Sequence, residues 1–335
     1  MHIHDVLIVG AGPAGLAAAI AAKQRQLDYQ VLEKGVLVNS IYRFPRQMIF
    51  FTTPDLLEIG SMPLISPYEK PTRLEVLRYY RRVADLYELD IEYGETVLLI
   101  TPEAEHVDGP VHTVETRSAR SVRRARHARA VVFAIGYYDH PNLINVPGEN
   151  LPHVSHYYEE AHPYYRQQVV IVGGGNSAAE TALELYRAGA QVTLVHRHPE
   201  LKPTVKYWVR PDIENRIKEG SIAARFGTRV VEIRPTEVVV EGPEGREELP
   251  ADAVLLLTGY HADRDLIARA GIRCDAATAK PEFDPVTLET NVPGLFLAGG
   301  VVSGRDTSAI FIENGRFHGE AIVKVISERL ALMRR

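Results

Sequence analysis

The sequence predicts an α/β protein of two three-layer domains, the second inserted into the first. Three observations carry that expectation. A strand, Gly-rich turn, helix and strand follow one another at the N-terminus; the same grammar returns near residue 168; and apolar runs closed by Gly recur at 130–136, 253–259 and 295–300. The 335 residues suffice for about two domains at roughly 150 residues each. With 38 Lys plus Arg against 43 Asp plus Glu, the net charge of −5 does not favour a nucleic-acid partner. One cysteine, Cys274, excludes an intramolecular disulfide, a Cys-based zinc cluster and a Cys-x-x-Cys redox pair. No basic segment followed by a cleavable apolar core opens the chain, and no apolar run reaches the roughly 18 residues that a bilayer span needs. A soluble cytoplasmic protein is the expectation.

Taken in order, residues 5–9 form a strand, Gly10 to Gly15 a turn, the Ala-rich 16–24 a helix, and Tyr29–Glu33 a second strand. Pro-rich and aromatic loops (44–71), a helix over 73–87 and β-type segments at 92–100 and 111–116 precede the 130–136 strand. The second unit runs through strand Gln168–Val172, turn Gly173 to Ala178, helix 179–188 and strand Gln191–His196. Strands at 229–233, 237–240, 253–259 and 295–300 and a final helix to about residue 332 complete the chain. The expected domains are 1–140 with 262–335, and 141–261. The stretch 117–129 carries six arginines in thirteen residues; no aromatic residue is interleaved to stack bases, so it reads as a solvated hairpin.

The glycines carry the chemistry. In Gly10-x-Gly12-x-x-Gly15 the first Gly allows the tight turn, the second lets backbone approach a pyrophosphate, and the third lets helix pack on strand. The helix N-terminus then offers N–H groups to phosphate. Glu33 ends the next strand, where a carboxylate accepts hydrogen bonds from ribose hydroxyls. The second fingerprint, Gly173-x-Gly175-x-x-Ala178, has no acid at that place; its strand ends His196-Arg197-His198, with Lys202 nearby. Arg and partly protonated His attract a 2′-phosphate that an acid would repel, so NADPH is preferred to NADH. One site with a sugar-binding acid and one built for a phosphate point to FAD first and NADPH second, in two Rossmann-like domains.

Together with Ala134-Ile-Gly136, Thr258-Gly259 and the run from Thr290 to Gly300, this arrangement resembles the thioredoxin-reductase-like branch of pyridine nucleotide-disulfide oxidoreductases over essentially the whole chain. Within that branch it is similar to the bacillithiol-disulfide reductase (YpdA-type) family, through Lys206-Tyr-Trp-Val-Arg-Pro-Asp-Ile-Glu-Asn-Arg216, Phe311-Ile-Glu-Asn-Gly-Arg-Phe-His-Gly319, Phe50-Phe-Thr-Thr-Pro and Leu57-Glu-Ile-Gly60. The resemblance implies hydride transfer from NADPH to FAD, reduction of an oxidised low-molecular-weight thiol, rotation of the domains during turnover about hinges near 137–147 and 259–263, and a homo-oligomer. No catalytic side chain is expected, since the isoalloxazine does the chemistry. FAD falls to Gly10, Gly12, Pro13, Ala14, Gly15, Glu33, Lys34, Val97, Ala134, Gly136, Gly299, Gly300, Ile310 and Phe311; NADPH falls to Gly173, Gly174, Gly175, Asn176, Ser177, Ala178, His196, Arg197, His198 and Lys202. Ile310, Phe311 and Ile312 are expected to begin the last helix, its N-terminus near the flavin. No metal and no membrane partner are expected.

Two departures matter. Most members of the family have Cys where this chain has Ala14, so a mechanism using that thiol is closed to it. Thioredoxin reductases end the late strand with Gly-Asp, whereas this chain has Gly299-Gly300, as the YpdA-type pattern does. Cys274 reads as a small hydrophobe rather than a nucleophile. Tyr207 and Trp208 suit an acceptor pocket or a packed interface equally, Lys206 and Arg210 an anionic substrate or plain solvation, and His156, Tyr157 and Tyr158 linker packing. The rival readings are a ferredoxin-NADP reductase of the thioredoxin-reductase-like type, against which the tail from Arg329 to Arg335 lacks a flavin-stacking aromatic ring; a flavin monooxygenase, whose Phe-x-Gly-x-x-x-His motif is missing; and a non-enzymatic NADPH-sensing flavoprotein.

Overall fold

The structure, a computed structural model, describes residues 2–103, 109–307 and 309–333; the end of the tail, Arg334 and Arg335, lies outside them. The chain divides into two compact units, residues 1–140 with 260–335, and residues 141–259.

In the outer unit the apolar strand Ile3–Val9 lies between Tyr29–Glu33 and Arg123–Phe133, parallel to both, and Ile91–Tyr93 extends the parallel sheet beyond Tyr29–Glu33. The eleven-residue strand Arg123–Phe133 serves two neighbours in turn. Its first half pairs antiparallel with His112–Ser118, which pairs with Glu95–Pro102, while residues 131–133 pair in parallel with Leu295–Leu297. Val6, Leu7 and Ile8 are wholly buried because helices cover one face of the sheet and the antiparallel meander the other.

The last helix is interrupted, contrary to the expectation of one helix begun by Ile310 to Ile312. A single turn, Ile312–Gly315, is followed by the helix His318–Met333. The Asn314 side chain accepts from the Phe311 N–H at 2.9 Å and donates to the Ala309 carbonyl at 2.9 Å, closing the short turn on itself. Gly319 then lies so close to Ala18 that a Cβ would sit 2.3 Å from its backbone nitrogen. The long helix is thereby held against the first helix, Pro13–Gln24.

The inserted unit repeats the plan with a five-stranded parallel sheet in the order Ala223–Phe226, Gln191–His196, Gln168–Val172, Ala253–Leu256, Val154–Ser155. An antiparallel three-stranded sheet, Arg229–Ile233, Glu237–Gly242 and Gly245–Pro250, covers one face. The sequence reading missed its last strand, since Arg246, Glu247 and Glu248 are exposed and lack apolar alternation. Both fingerprint helices begin three residues before the expected starts, at Pro13 and Asn176; proline at the first helical position has its φ preset for that role.

The arginine-rich hairpin is less solvated than its composition suggests. The Glu95 carboxylate is 1% exposed and takes Arg124 at 2.6 Å and Arg126 at 3.3 Å, and both guanidiniums also bind Glu92. Arg126, itself 11% exposed, further donates to Gln30 and Thr116. Removing one partner of a buried pair strands the other charge. Arg126→Ala is therefore expected to lower unfolding stability by about 2–3 kcal/mol in urea denaturation, with Arg117→Ala, on the exposed end of the hairpin, close to neutral.

Candidate functional site

The outer cradle is built by backbone proximity. Strand Ile3–Val9 ends at Gly10, whose φ of +106° and a Cβ position 2.5 Å from the Ala134 carbonyl oxygen demand glycine. A Cβ on Gly15 would lie 2.0 Å from the Gly10 carbonyl oxygen, so the third glycine is required for closure of the turn. Gly12 differs: its backbone is extended and a Cβ there would meet nothing within 4 Å. The helix behind it starts with Pro13, which has no N–H, and has no side-chain cap, which leaves the following amides without a side-chain partner, as an anion-binding turn requires.

Glu33 is buried beside this turn. One carboxylate oxygen accepts from the Ala11 N–H and the other from the Gly35 N–H, each at 2.7 Å. Burial raises its pKa above the usual value; the two amide bonds oppose the shift, and the Asp139 charge adds to it. Each oxygen keeps a second lone pair for a sugar hydroxyl. Lys34 is engaged with Asp139 at 3.0 Å, and Arg43 reaches the same carboxylate at 2.8 Å. Val97 is buried in the meander among Val9 and Leu7.

Residues far apart in sequence converge next to the turn. A Cβ on Gly299, which has φ +72°, would lie 2.8 Å from the Ala14 Cβ, one on Gly300 2.7 Å from the Tyr137 ring, and one on Gly315 3.1 Å from the Gly299 Cα. Gly136 has φ +61° and open space where a Cβ would be. The Gly299 N–H donates to His318 Nδ1 at 3.1 Å, which fixes the ring proton on Nε2. Burial also lowers the His318 pKa, in keeping with a ring that accepts at Nδ1. Sequence reasoning quoted His318 within a motif and gave it no role; its signal, a contact across nineteen residues, exists only in three dimensions.

The segments that carried the outer part of the resemblance also meet. Phe311 stacks edge-on against Phe51 at 5.7 Å, and Arg316 donates to the carbonyls of Asp55 at 2.7 Å and Glu58 at 2.6 Å. Ile310 packs against the sheet core. Ile310 and Phe311 precede a one-turn helix, so they offer no long-helix dipole to a cofactor.

The inserted cradle repeats the backbone logic with another charge. Gly173 has φ +155°, and a Cβ there would sit 2.5 Å from the Leu257 carbonyl oxygen and 3.0 Å from the Ala178 Cβ. Gly175 caps the helix Asn176–Arg187 without a side-chain bond, and Ser177 is exposed on its first turn. The Asn176 side chain donates to Thr204 O at 3.0 Å and accepts from Lys206 N at 2.8 Å, while Lys202 N donates to Gly174 O at 2.8 Å. These bonds fold the 202–206 loop onto the glycine turn, so the Lys206 to Arg216 motif supports the cradle. Lys206 pairs with Glu180 at 2.6 Å; Arg210 pairs with Glu214 at 2.8 Å and donates to Lys202 O at 2.6 Å. Lys206 thus ties the loop to the helix Asn176–Arg187 and Arg210 braces the loop backbone.

His196 departs from the expectation of a partly charged phosphate ligand. It is buried, and its ring fills the space beside Gly174, where a Cβ would come within 2.3 Å of Nε2. Burial first, then the charges of His198, Lys202 and Arg197, lower its pKa to about 4, leaving it neutral at ordinary pH. Arg197, His198 and Lys202 are exposed around it, Arg197 Nε donating to His198 Nε2 at 3.3 Å.

The linker-packing reading suits His156, Tyr157 and Tyr158, whereas Tyr207, Trp208 and Cys274 are exposed, contrary to a packed interface and a buried small hydrophobe. His156 sits 3.4 Å from Glu149, and Tyr158 is in the inserted unit's core. The Ser155 hydroxyl bonds the Tyr157 backbone on both sides. Tyr207 and Trp208 are exposed and stack edge-on at 4.8 Å. Cys274 is exposed, bridged to Pro281, and burial of its thiol raises its pKa, the reverse of an activated thiolate.

A dinucleotide fits both turns: each offers uncapped helix amides over glycine, and in the outer one the cleared space at Gly12 adjoins a carboxylate with lone pairs to spare. The two outer glycines are expected to separate binding from folding. Gly15→Ala should cost about 3 kcal/mol of stability through the clash with Gly10 O. Gly12→Ala should keep the thermal midpoint of the apoprotein but weaken FAD binding by roughly tenfold or more, as read by flavin fluorescence titration.

The family described as pyridine nucleotide-disulphide oxidoreductase matches residues 7–299. Bacilliredoxin reductase Bdr of Bacillus subtilis (strain 168) is 40% identical over 326 residues, covering 96% of this chain and 97% of that one. The solved bacillithiol disulfide reductase Bdr (YpdA) from Bacillus cereus superposes with a TM-score of 0.95 at 38% identity, covering 98% of this chain and 100% of the other. Its counterpart from Staphylococcus aureus gives 0.90 at 35% identity over 97% and 98%. With its two dinucleotide cradles and this likeness along almost its whole length, the chain belongs to the pyridine nucleotide-disulphide oxidoreductase family, whose members are flavin-dependent oxidoreductases using FAD and NADPH.

Proposed function

We propose that this protein is an NADPH-dependent flavoprotein reductase of bacillithiol disulfide or a related low-molecular-weight disulfide, with FAD in the outer unit and NADPH in the inserted one. The observation that carries the reading is the contrast between two turns of one backbone design, one ending in the Glu33 carboxylate and the other in Arg197, His198 and Lys202. Bound FAD supplies a two-electron relay from the nicotinamide to the acceptor, with the balance NADPH + H⁺ + RSSR → NADP⁺ + 2 RSH. The protein's part is positional. Glu33 would accept hydrogen bonds from ribose hydroxyls, the amides of Ala14 and Gly15 and those following Gly175 would hold phosphates, and His318 holds the Gly299 segment beside Ala14. The residues assigned to each cofactor from sequence are retained in this proposal, with the charged role of His196 removed.

The acceptor is a small disulfide in this reading because the chain brings no sulfur of its own to a relay. Ala14 replaces the thiol position, and Cys274 is exposed with a raised pKa. The names of two solved relatives, bacillithiol disulfide reductases, support it, while the B. subtilis relative is named a bacilliredoxin reductase, which favours the alternative partner, a small redox protein. Cytoplasmic residence and homo-oligomerisation belong to the same proposal.

Anaerobic stopped-flow tests it. The FAD-loaded protein is reduced with NADPH and mixed with bacillithiol disulfide or with oxidised ferredoxin, following flavin absorbance. Rapid reoxidation by the disulfide is expected. Fast reoxidation by ferredoxin alone would overturn the disulfide reading and leave an electron-transfer reductase. The pyridine nucleotide preference has its own check: Arg197→Ala with Lys202→Ala should lower kcat/KM for NADPH by about 10- to 100-fold, the worth of a lost charge-assisted contact, while leaving NADH nearly unchanged.

A further inference from the structure

Two histidines and an aspartate meet at the end of the outer unit's central strand opposite the glycine turn. His2 and His4 are two residues apart along extended chain, which puts both imidazoles on one side. Asp28 precedes the neighbouring strand Tyr29–Glu33, and the parallel register Val6↔Tyr29, with Val6 N donating to Asp28 O at 3.1 Å, brings it alongside. Its own N–H is held by the buried Asp5 carboxylate at 3.0 Å. The carboxylate that results faces both rings: His2 Nε2 is 2.9 Å from Asp28 Oδ2, and His4 Nδ1 is 3.2 Å from Asp28 Oδ1. One ligand atom from each residue lies within 4.8 Å of the other two.

A grouping of three ligand atoms within 4.8 Å is compatible with a shared metal ion. Bonds of about 2.0–2.2 Å from a tetrahedral ion to imidazole nitrogen and carboxylate oxygen place neighbouring ligand atoms roughly 3.3 Å apart. Hydrogen bonding alone would give the same two contacts, but it leaves the two rings with no common partner beyond Asp28. The set of two imidazoles and one carboxylate suits zinc-class transition ions and not magnesium or calcium, which take oxygen shells. The rings lie 4.4 Å apart and nearly perpendicular at 85°, so neither stacks over the other to shut the site. His4, a strand residue 14% exposed, is the anchored ligand, while Asp28 at 45% and His2 at 69% are open to solvent and can adjust.

We propose that His2, His4 and Asp28 form a surface site for a divalent transition metal of the zinc class, with solvent completing its shell. The bound ion ties the start of the first strand to the start of the second. Because Gly10 and Glu33 close the other ends of those strands, the ion supports the fold and takes no part in electron transfer. The proposal is independent of the acceptor.

The test uses the chelator-washed, FAD-loaded protein without a histidine tag, and Zn²⁺ alone as probe. Isothermal titration is expected to show one saturable equivalent per chain, weakened roughly tenfold or more in His4→Ala and in Asp28→Asn. Zn²⁺ should raise the thermal midpoint of the unsubstituted protein and leave that of a His2→Ala/His4→Ala double variant unmoved. The rate of flavin reduction by NADPH should be the same for both. Absence of a saturable equivalent overturns the proposal. So does undiminished binding in the double variant, which would move the ion elsewhere, for example to the stacked pair His140 and His261.

Discussion

Three backbone segments approach one another at Gly10 more closely than side chains would permit, and the outer unit's site depends on that approach. The Ala134 carbonyl stands where a Gly10 Cβ would go, and the Gly10 carbonyl where a Gly15 Cβ would go. The first strand, the long Arg123–Phe133 strand and the first helix are locked together by this exclusion. The helix N-terminus is thereby set at Gly12, next to the lone pairs of Glu33. In the inserted unit Gly173 is packed the same way against Leu257, with Ala178 accommodated at the position of the third glycine.

A shared backbone leaves charge to set the difference between the cradles. Glu33 is buried, and its two backbone amide bonds hold its orientation. In the second cradle the strand ends on a histidine that turns inward beside Gly174 and loses its basicity, while the cations sit outside it in solvent. The loop bearing Lys202 is set by Asn176, the Lys206 backbone and Arg210, which fix where the Lys202 ammonium stands.

The late chain completes the outer site by the same economy of side chains. Gly299, Gly300, Gly315 and Gly319 allow the Leu295–Leu297 strand, the one-turn helix and the final helix to close on Ala14, Tyr137 and Ala18. His318 spans the gap between the final helix and the Gly299 amide. With Ala14 at the turn and Cys274 on an exposed bridge, no thiol among the described residues stands in that arrangement.

The sequence by itself determined the α/β class, the two dinucleotide turns, Glu33 as an acid after the first and the basic cluster after the second. Those features are local: strand period, glycine spacing and the residue ending the next strand all fall within about thirty residues, and their physical reasons act through the backbone. Only the tertiary structure decided that His196 is neutral, that Arg124 and Arg126 serve a buried Glu95, that Lys206 and Arg210 brace a loop, and that the last helix breaks before His318. The first two turn on burial or on a partner distant in sequence, the others on side-chain bonds that no local pattern announces. Desolvation and ion pairing depend on what surrounds a group in space, and that neighbourhood exists only once the chain has closed.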